Sequence, residues 1–423
     1  MFSIFIQTYV PNMKSLLTKR TLFILLFFSL YLILWFPNFG SIDKMAPQWL
    51  YLSAVSFVLG LYHLLNKSLT FNKGPIIYIY SFFLILCLLS FSYSNNIIIS
   101  IFDFSRIFII FSLLHFFLSF NYNLNFKDLS LIISFFLLSE VIFSNIIFIS
   151  SFISGQYLNY ISPNNFAGFG ANKNVTAASI CIKLPFLFYS AYTNKNLRFI
   201  SLFVLLLAFF AVVMISSRAS FISLFFICIF FFVSLYYIKS SILFKIKNFF
   251  SFTIPLLFAF YFNNILQKSS QLNVLNRIAS IELSAVSSNG RFELWSNAID
   301  YIQIHPFFGC GLGNWKIESL PYWKDLLSDY TVPYHAHNDF LELATEIGIV
   351  GSLIYLFLFL YIFYKLFIYR KANFLIASVL FVSLLVYCVD AFFNFPLERP
   401  VMQVSFLIIL YSSIKFLSDE VTV

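Results

Sequence analysis

Charge is what this 423-residue chain has least of: Asp, Glu, Lys and Arg make up only 10% of it, against roughly 25% in soluble domains. A chain so poor in charge cannot clothe a water-facing surface, which excludes a soluble globular protein. Cysteine is scarce too. Four of the five (Cys87, Cys181, Cys228, Cys388) fall in apolar runs, where the residue behaves as a small hydrophobe. Cys310 stands alone in the one long polar loop, which excludes an intraloop disulfide and a cysteine-based metal site. The formal net charge is +9, yet no basic stripe or aromatic-basic motif lies outside the apolar runs, so nucleic acid is not a partner. No small-residue cleavage site follows Trp35-Phe36-Pro37, so the first apolar run reads as a retained span and not as a signal peptide.

What is present is hydrophobic residue, 61% of the chain, with 61 Phe. Runs long enough to cross a bilayer, about 17–25 residues, lie near 21–37, 47–65, 75–93, 97–120, 129–153 and 176–193. Others lie near 197–216, 219–238, 249–263, 347–368, 374–393 and 400–417. The ninth, 249–263, is short and contains Pro255. This predicts an all-α, polytopic membrane helix bundle of about twelve transmembrane helices with one large extracytoplasmic helical loop. Its organisation is helices 1–9 in residues 1–263, the loop in 264–346 and helices 10–12 in 347–423. No internal repeat is visible.

Basic residues orient the bundle. With the N-terminus inside, the cytoplasmic segments hold Lys14, Lys19, Arg20, Lys67, Lys73, Lys127, Lys195, Arg198, Lys239, Lys245, Lys247, Lys365, Arg370, Lys371 and Lys415. The short outer loops hold only Lys44, Lys173, Arg218 and Arg399. Lysine and arginine accumulate on the cytoplasmic side, so both termini are expected there and the 264–346 loop is expected outside.

That loop carries most of the chemistry. Phe292, Trp295, Ile299 and Ile302 recur at helical spacing, which predicts an amphipathic helix over 291–304. Pro306 and Gly309, Gly311 and Gly313 end it in a turn, and a helix restarts near His337 and runs into the tenth span. Arg291 opens the first of these helices, where a cation opposes the dipole unless something negative lies nearby. Arg218, in MISSRAS at the outer end of the seventh span, runs against the positive-inside bias. It is either an interfacial arginine reaching lipid phosphates or a binder of an anionic substrate group, for which a planar guanidinium is suited. Two arginines on one side of the membrane could clamp a pyrophosphate.

His337, in HAHNDFLE, starts a helix whose positive dipole end favours a neutral ring able to accept a proton. His335 suggests an HxH metal pair, but no third ligand stands at a recognisable spacing. Asp339, Glu342 and Glu346 are all placed to orient the ring or to pair with arginine, and the spacing does not choose among them. GANKNVTA (170–177) offers Asn172, Lys173 and Asn174 to sugar hydroxyls or phosphate, or simply caps a helix at Asn174. Gly348 and Gly351 permit a close helix approach or a bend. Asp103, Arg106, Glu140, Lys183 and Asp390 are expensive charges within spans, and Asp103 and Arg106 are spaced to pair with each other.

Taken together, His337-Asn338, nine residues, Gly348, two residues and Gly351 resemble a motif of the O-antigen ligase and polymerase superfamily. So do the preceding Gly290-Arg291-x3-Trp295, HPFFGCGLGNW and the SSRAS at Arg218. The family pattern puts Gly, Thr or Tyr after the second glycine, where this chain has Ser352. The resemblance implies a metal-independent, inverting glycosyltransferase without a cofactor, in the bacterial inner membrane with its site on the periplasmic face. Its donor would be an undecaprenyl-pyrophosphate-linked glycan, and the favoured acceptor lipid A-core, in lipopolysaccharide biosynthesis. Arg218 and Arg291 would hold the leaving pyrophosphate and His337 would deprotonate the acceptor hydroxyl. Asn338, Lys173, Asn174 and Trp295 would contact substrate. A polymerase extending a lipid-linked repeat shares the same residues, and a polysaccharide lipid transporter is the alternative of another class.

Overall fold

The computed structural model describes residues 19–37, 39–41, 43, 45–120, 124–153, 166–168, 172–238, 240–266, 290–323 and 334–421. Lys14, Lys44 and Lys239 of the charge count, and Gly170 and Ala171 of GANKNVTA, lie outside these residues. The elements are helices: α1 (Lys19–Tyr31), α2 (Ala46–Leu65), α3 (Pro75–Leu89), α4 (Ile97–Ser119), α5 (Phe126–Ile153) and α6 (Lys173–Thr193). Then come α7 (Arg198–Ile215), α8 (Arg218–Tyr237), α9 (Ile242–Leu266), α10 (Arg291–Ile304), α11 (Trp315–Glu318) and α12 (Leu320–Trp323). The last three are α13 (Asp339–Ile368), α14 (Phe374–Phe393) and α15 (Pro400–Val421), and short 3-10 turns join several of the fifteen.

Eleven of the described helices are long and apolar enough to cross a membrane, and the shorter apolar helix Thr21–Trp35 precedes them. They correspond one for one to the twelve apolar runs. The ninth is not short: α9 has 25 residues and carries Pro255 inside it. Lys245, Lys247 and Asn248 at one end and Asn263 and Asn264 at the other belong to the helix, and their polarity trimmed the apolar run seen in the sequence.

Helices of similar hydropathy sit at different depths in the bundle. Of the apolar stretches of α6 and α15, 78% is buried within the protein, against 28% for α2 and 22% for α9. Phe199 and Leu65 are 86% and 83% exposed, a burden in water but the ordinary condition of a lipid-facing side chain. The charges within the bundle are paired. Lys183 donates to Glu140 Oε2 at 2.7 Å, with Ser179 completing its shell, as a desolvated ammonium requires. Among the described residues asparagines cap five helices: Asn96 on α4, Asn125 on α5, Asn172 on α6, Asn338 on α13 and Asn373 on α14. The cap of α6 is therefore Asn172, not Asn174, because the helix starts one residue before Asn174.

Helices alternate in direction, so residues 290–323 and 334–338 share one face of the bundle with Arg218, the α3–α4 corner and the α14–α15 loop. Lys67, Lys73, Lys127, Arg198, Lys245 and Lys365 mark helix ends at the opposite face. The loop is anchored deep in the bundle. Inside α13, Gly348 departs from helical geometry with φ 77° and ψ 169°, a region open essentially only to glycine. This break frees backbone groups, and the turn after α10 takes them up. Cys310 N–H donates to Thr345 O at 2.9 Å, Gly311 N–H to Glu346 O at 2.8 Å, and Ile349 N–H to Pro306 O at 3.0 Å. Asn314, wholly buried, then fastens the turn to the α3–α4 corner through Ser94 (2.8 Å), Ser100 (2.9 Å) and the backbone N–H of Asn96 (2.8 Å).

Two glycines separate backbone strain from crowding. A Cβ on Gly348 would lie 2.2 Å from Phe307 O, whereas one on Gly290, at φ 76°, would meet nothing within 4 Å. Gly348→Ala is expected to cost more than about 3 kcal/mol and to loosen the loop, and Gly290→Ala about 1–2 kcal/mol. Thermal unfolding in detergent measures both, and equal losses would contradict the account of the kink.

Candidate active site

Two arginines open two helices. Arg218 is the first residue of α8, set by a break of two residues after α7 in which Ser216 adopts φ 55°. Arg291 is the first residue of α10, after Gly290. Neither helix has a side-chain cap on its N-terminal N–H groups, so each presents a guanidinium beside unsatisfied backbone donors, an arrangement that favours anions. The half-buried Arg218 has its Nε buried without a hydrogen-bond partner among the described residues. Arg291 donates from Nη2 to Asn394 Oδ1 at 3.3 Å. Asn394 in turn donates to Asp390 Oδ1 at 2.6 Å, and Arg399 lies 3.8 Å from the other oxygen of Asp390. Burial first, then the charges of Arg218 and Arg399, hold the Arg291 guanidinium below its ordinary pKa. The electronegative neighbour that a cation at this position requires is thus Asp390, reached through Asn394.

His337 faces the same cations. Its backbone is left-handed, φ 53°, a strained conformation that in a non-glycine residue clusters at functional sites. Burial, and then Arg291, His335 and Arg399, push its pKa down to about 3, so the ring is neutral. Neutrality was expected from the helix dipole; its larger sources are burial and neighbouring charge. Nδ1 is buried without a hydrogen-bond partner among the described residues. None of the three carboxylates of α13 bonds to the ring. Asp339 accepts from Leu397 N–H at 3.1 Å, Glu346 from Trp315 N–H at 3.4 Å, and Glu342 holds His335.

His335, two residues away, is in the opposite state. Its Nδ1 meets Glu342 Oε1 at 2.9 Å and its Nε2 meets Glu398 Oε2 at 3.5 Å. Burial alone would lower its pKa, but Glu398 and Glu342 outweigh that and lift it to about 9. Phe395 separates the two rings, stacked on His335 at 4.0 Å and edge-on to His337 at 5.1 Å. The cluster of ligand-type atoms is not the HxH pair: His335, Glu342 and Glu398, without His337, bring such atoms within 4.8 Å of one another. Each is already engaged. Glu342 also accepts Ala336 N–H at 2.9 Å, and Glu398 also pairs with Arg106 at 3.5 Å and Lys316 at 3.8 Å. Asp103 and Arg106 do pair, at 3.2 Å, but as part of a chain in which Lys316 reaches Asp103 at 3.0 Å. A cavity of about 30 Å³, room for about two waters, lies against this cluster, lined by Asp103, Arg106, Asp339, Glu342, Glu346 and Glu398 among others.

Among the residues singled out in the sequence, Arg218, Arg291 and His337 are thus brought into one electrostatic neighbourhood. Trp295 packs beside them on the end of α14, its ring 5.7 Å from Phe392, with Nε1 buried and unpartnered among the described residues. Asn338 is buried and its oxygen caps α13 through Phe340 N–H (3.0 Å) and Leu341 N–H (3.1 Å). Lys173 and Asn174 form the first turn of α6. The sequence reading missed Asn394, Phe395 and Glu398, and took Arg399 and Asp390 only as charges. The signal was the crowding of NFPLER into the short link between the last two spans.

Residues 203–356 match the family model described as O-antigen ligase. The matched segment contains Arg218, Arg291, His337 and the Gly348 kink, and it supports the O-antigen ligase superfamily and a membrane protein that processes glycans in the manner of a ligase or polymerase. No curated protein matches the chain.

The His335 clamp has a pH signature. Its folded-state pKa lies above the ordinary value, so the stabilisation is complete below about pH 6.5 and is lost as pH rises through about 9. The melting temperature is expected to fall across that window by the equivalent of up to about 3 kcal/mol, and Glu398→Gln should flatten the fall. A wild-type melting temperature that stays level through about pH 9 would contradict the clamp.

Proposed function

Because residues 203–356 match the O-antigen ligase family, we propose that this membrane protein transfers a glycan from an undecaprenyl-pyrophosphate carrier to an acceptor hydroxyl at the periplasmic membrane face, with lipid A-core the favoured acceptor. One observation carries the reading: Arg291, at an uncapped helix start with Arg218 of a second uncapped start in its field, acts with Arg399 on a neutral, half-buried His337. A site of this kind favours a diphosphate beside a base.

The chemistry follows from charge. The acceptor oxygen bonds to the anomeric carbon on the face opposite the pyrophosphate. The carbon–oxygen bond to the pyrophosphate breaks, its electron pair leaves with the phosphate oxygen, and the hydroxyl proton passes to His337. Negative charge grows on the leaving pyrophosphate, so arginines fixed there before reaction stabilise the transition state more than the ground state. Asn394 and Asp390 keep Arg291 in place, so its guanidinium need not reorganise. The cations that hold His337 neutral are the ones the diphosphate would offset. The ring therefore gains basicity when the donor is seated, and a proton is not taken up before there is a leaving group to match it. Lipid-anchored substrates account for a site at the rim of the bundle, and Trp295 offers a ring and an N–H donor to a sugar. No step calls on a metal, because the histidine and the arginines supply base and electrophilic stabilisation.

Purified protein given an undecaprenyl-pyrophosphate oligosaccharide and chelator, with lipid A-core or a second lipid-linked repeat, tests this reading. His337→Ala is expected to lower turnover about 10²–10⁴-fold with donor still bound, and Arg291→Ala about 10²–10³-fold with weaker donor binding. Transfer to lipid A-core supports the ligase. Extension of the lipid-linked repeat instead makes it a polymerase. Transfer that survives His337→Ala, or none to either acceptor, overturns the catalytic assignment and favours lipid transport.

A further inference from the structure

The end of α7 farthest from Arg218 carries a second polar feature, which the proposed transfer does not use. Arg198, the first residue of α7, donates from Nη2 to Asn248 Oδ1 of α9 at 3.1 Å and lies 5.7 Å from the centre of the Phe244 ring. A guanidinium has five N–H donors, so this bond leaves most of the fork for another acceptor. Beside the pair is a cavity of about 40 Å³ between α6, α7, α8 and α9. Arg198, Ser201, Asn248 and Ser251 make its polar part, and Leu205, Phe231 and Phe252 belong to its apolar part. Leu205 is seven residues along α7 from Arg198, about 10 Å deeper at the helical rise. The cavity thus runs from a cation at the helix end into the hydrocarbon layer. Around its mouth the side chains are apolar and outward: Phe199 is 86% exposed and Phe203 52%. Lys247 of α9, one residue from Asn248, is exposed at the same end.

We propose that this cavity is a site for one anionic phospholipid of the leaflet opposite the candidate active site, with its phosphate on Arg198 and Asn248, its headgroup neck in the notch and its acyl chains outside in the bilayer. Three features select that ligand. The volume is too small to enclose a soluble organic molecule, but a lipid needs only a notch for its headgroup neck because its chains remain in the bilayer. The apolar depth would desolvate a free phosphate without compensation. Finally, the excess of basic side chains at this end attracts a net negative headgroup over a zwitterionic one. Such a lipid would brace the junction of α6, α7, α8 and α9 from the side away from the chemistry.

Native mass spectrometry of the full chain, released from bilayers of mixed phosphatidylethanolamine and phosphatidylglycerol, tests the proposal. The wild type is expected to retain one phosphatidylglycerol. Arg198→Ala should lower that occupancy about fivefold, with phosphatidylethanolamine unchanged, and Arg198→Lys should keep most of it. A companion measurement needs no variant. Adding phosphatidylglycerol to the protein in phosphatidylethanolamine should raise its melting temperature to a plateau, and inorganic phosphate alone should not. Equal retention of the two lipids, equal phosphatidylglycerol on wild type and Arg198→Ala, or an equal response to inorganic phosphate would overturn the proposal.

Discussion

The hydrogen bonds between the 306–311 turn and the broken backbone of α13 govern the rest of this structure. A helix within a membrane cannot leave N–H and C=O groups unsatisfied, because no water is there to take them. Gly348 opens such groups and the turn closes them. The loop is therefore part of the bundle's internal hydrogen bonding and not an appendage above it. Its position fixes Asn314 against the α3–α4 corner and places Lys316 between Asp103 and Glu398. Glu398 then holds His335, and His335 holds the segment that ends in His337. Each link is local, but the chain of them runs from the start of the tenth span to His337.

The same chain sorts charge. Glu398 and Glu342 act on His335 while Arg291 and Arg399 act on His337, so two histidines two residues apart have opposite protonation states. Burial pushes both toward neutrality, and the neighbours decide the outcome. An imidazolium satisfied by two carboxylates is a structural cation. An imidazole facing arginines is held neutral.

The fold was legible because apolar length is a strong signal in a chain with so few charges. All twelve runs became helices, and the 291–304 helix emerged with the predicted ends. The length of the ninth was misjudged because polar residues at helix ends look like loop in sequence. The arginines and His337 stood out by being out of place: a cation on the outer side, another at a helix start, a histidine beside an asparagine cap. What supports them did not. Asn394, Glu398 and Arg399 lie some sixty residues beyond His337 and more than a hundred beyond Arg291, and only folding brings the α14–α15 link over the loop. The carboxylate that engages a histidine chose His335 over His337, a matter of side-chain direction that spacing along a helix does not resolve.

The break of two residues between α7 and α8 has a consequence for how this protein can vary. α7 has 18 residues, about 27 Å at 1.5 Å per residue, close to the roughly 30 Å of a hydrocarbon core. The helix thereby acts as a ruler that sets Arg218 at the height of lipid phosphates. One residue added or removed within it would shift Arg218 by about 1.5 Å and swing it about 100° around the axis, away from Arg291. Exposed side chains near the start of α7, such as Phe199 and Phe203, can be exchanged wherever lipid accepts them, whereas Ala208–Ile215 is held by the core and the helix length by its ends. The register of an apolar helix here fixes the direction of the arginine that follows it.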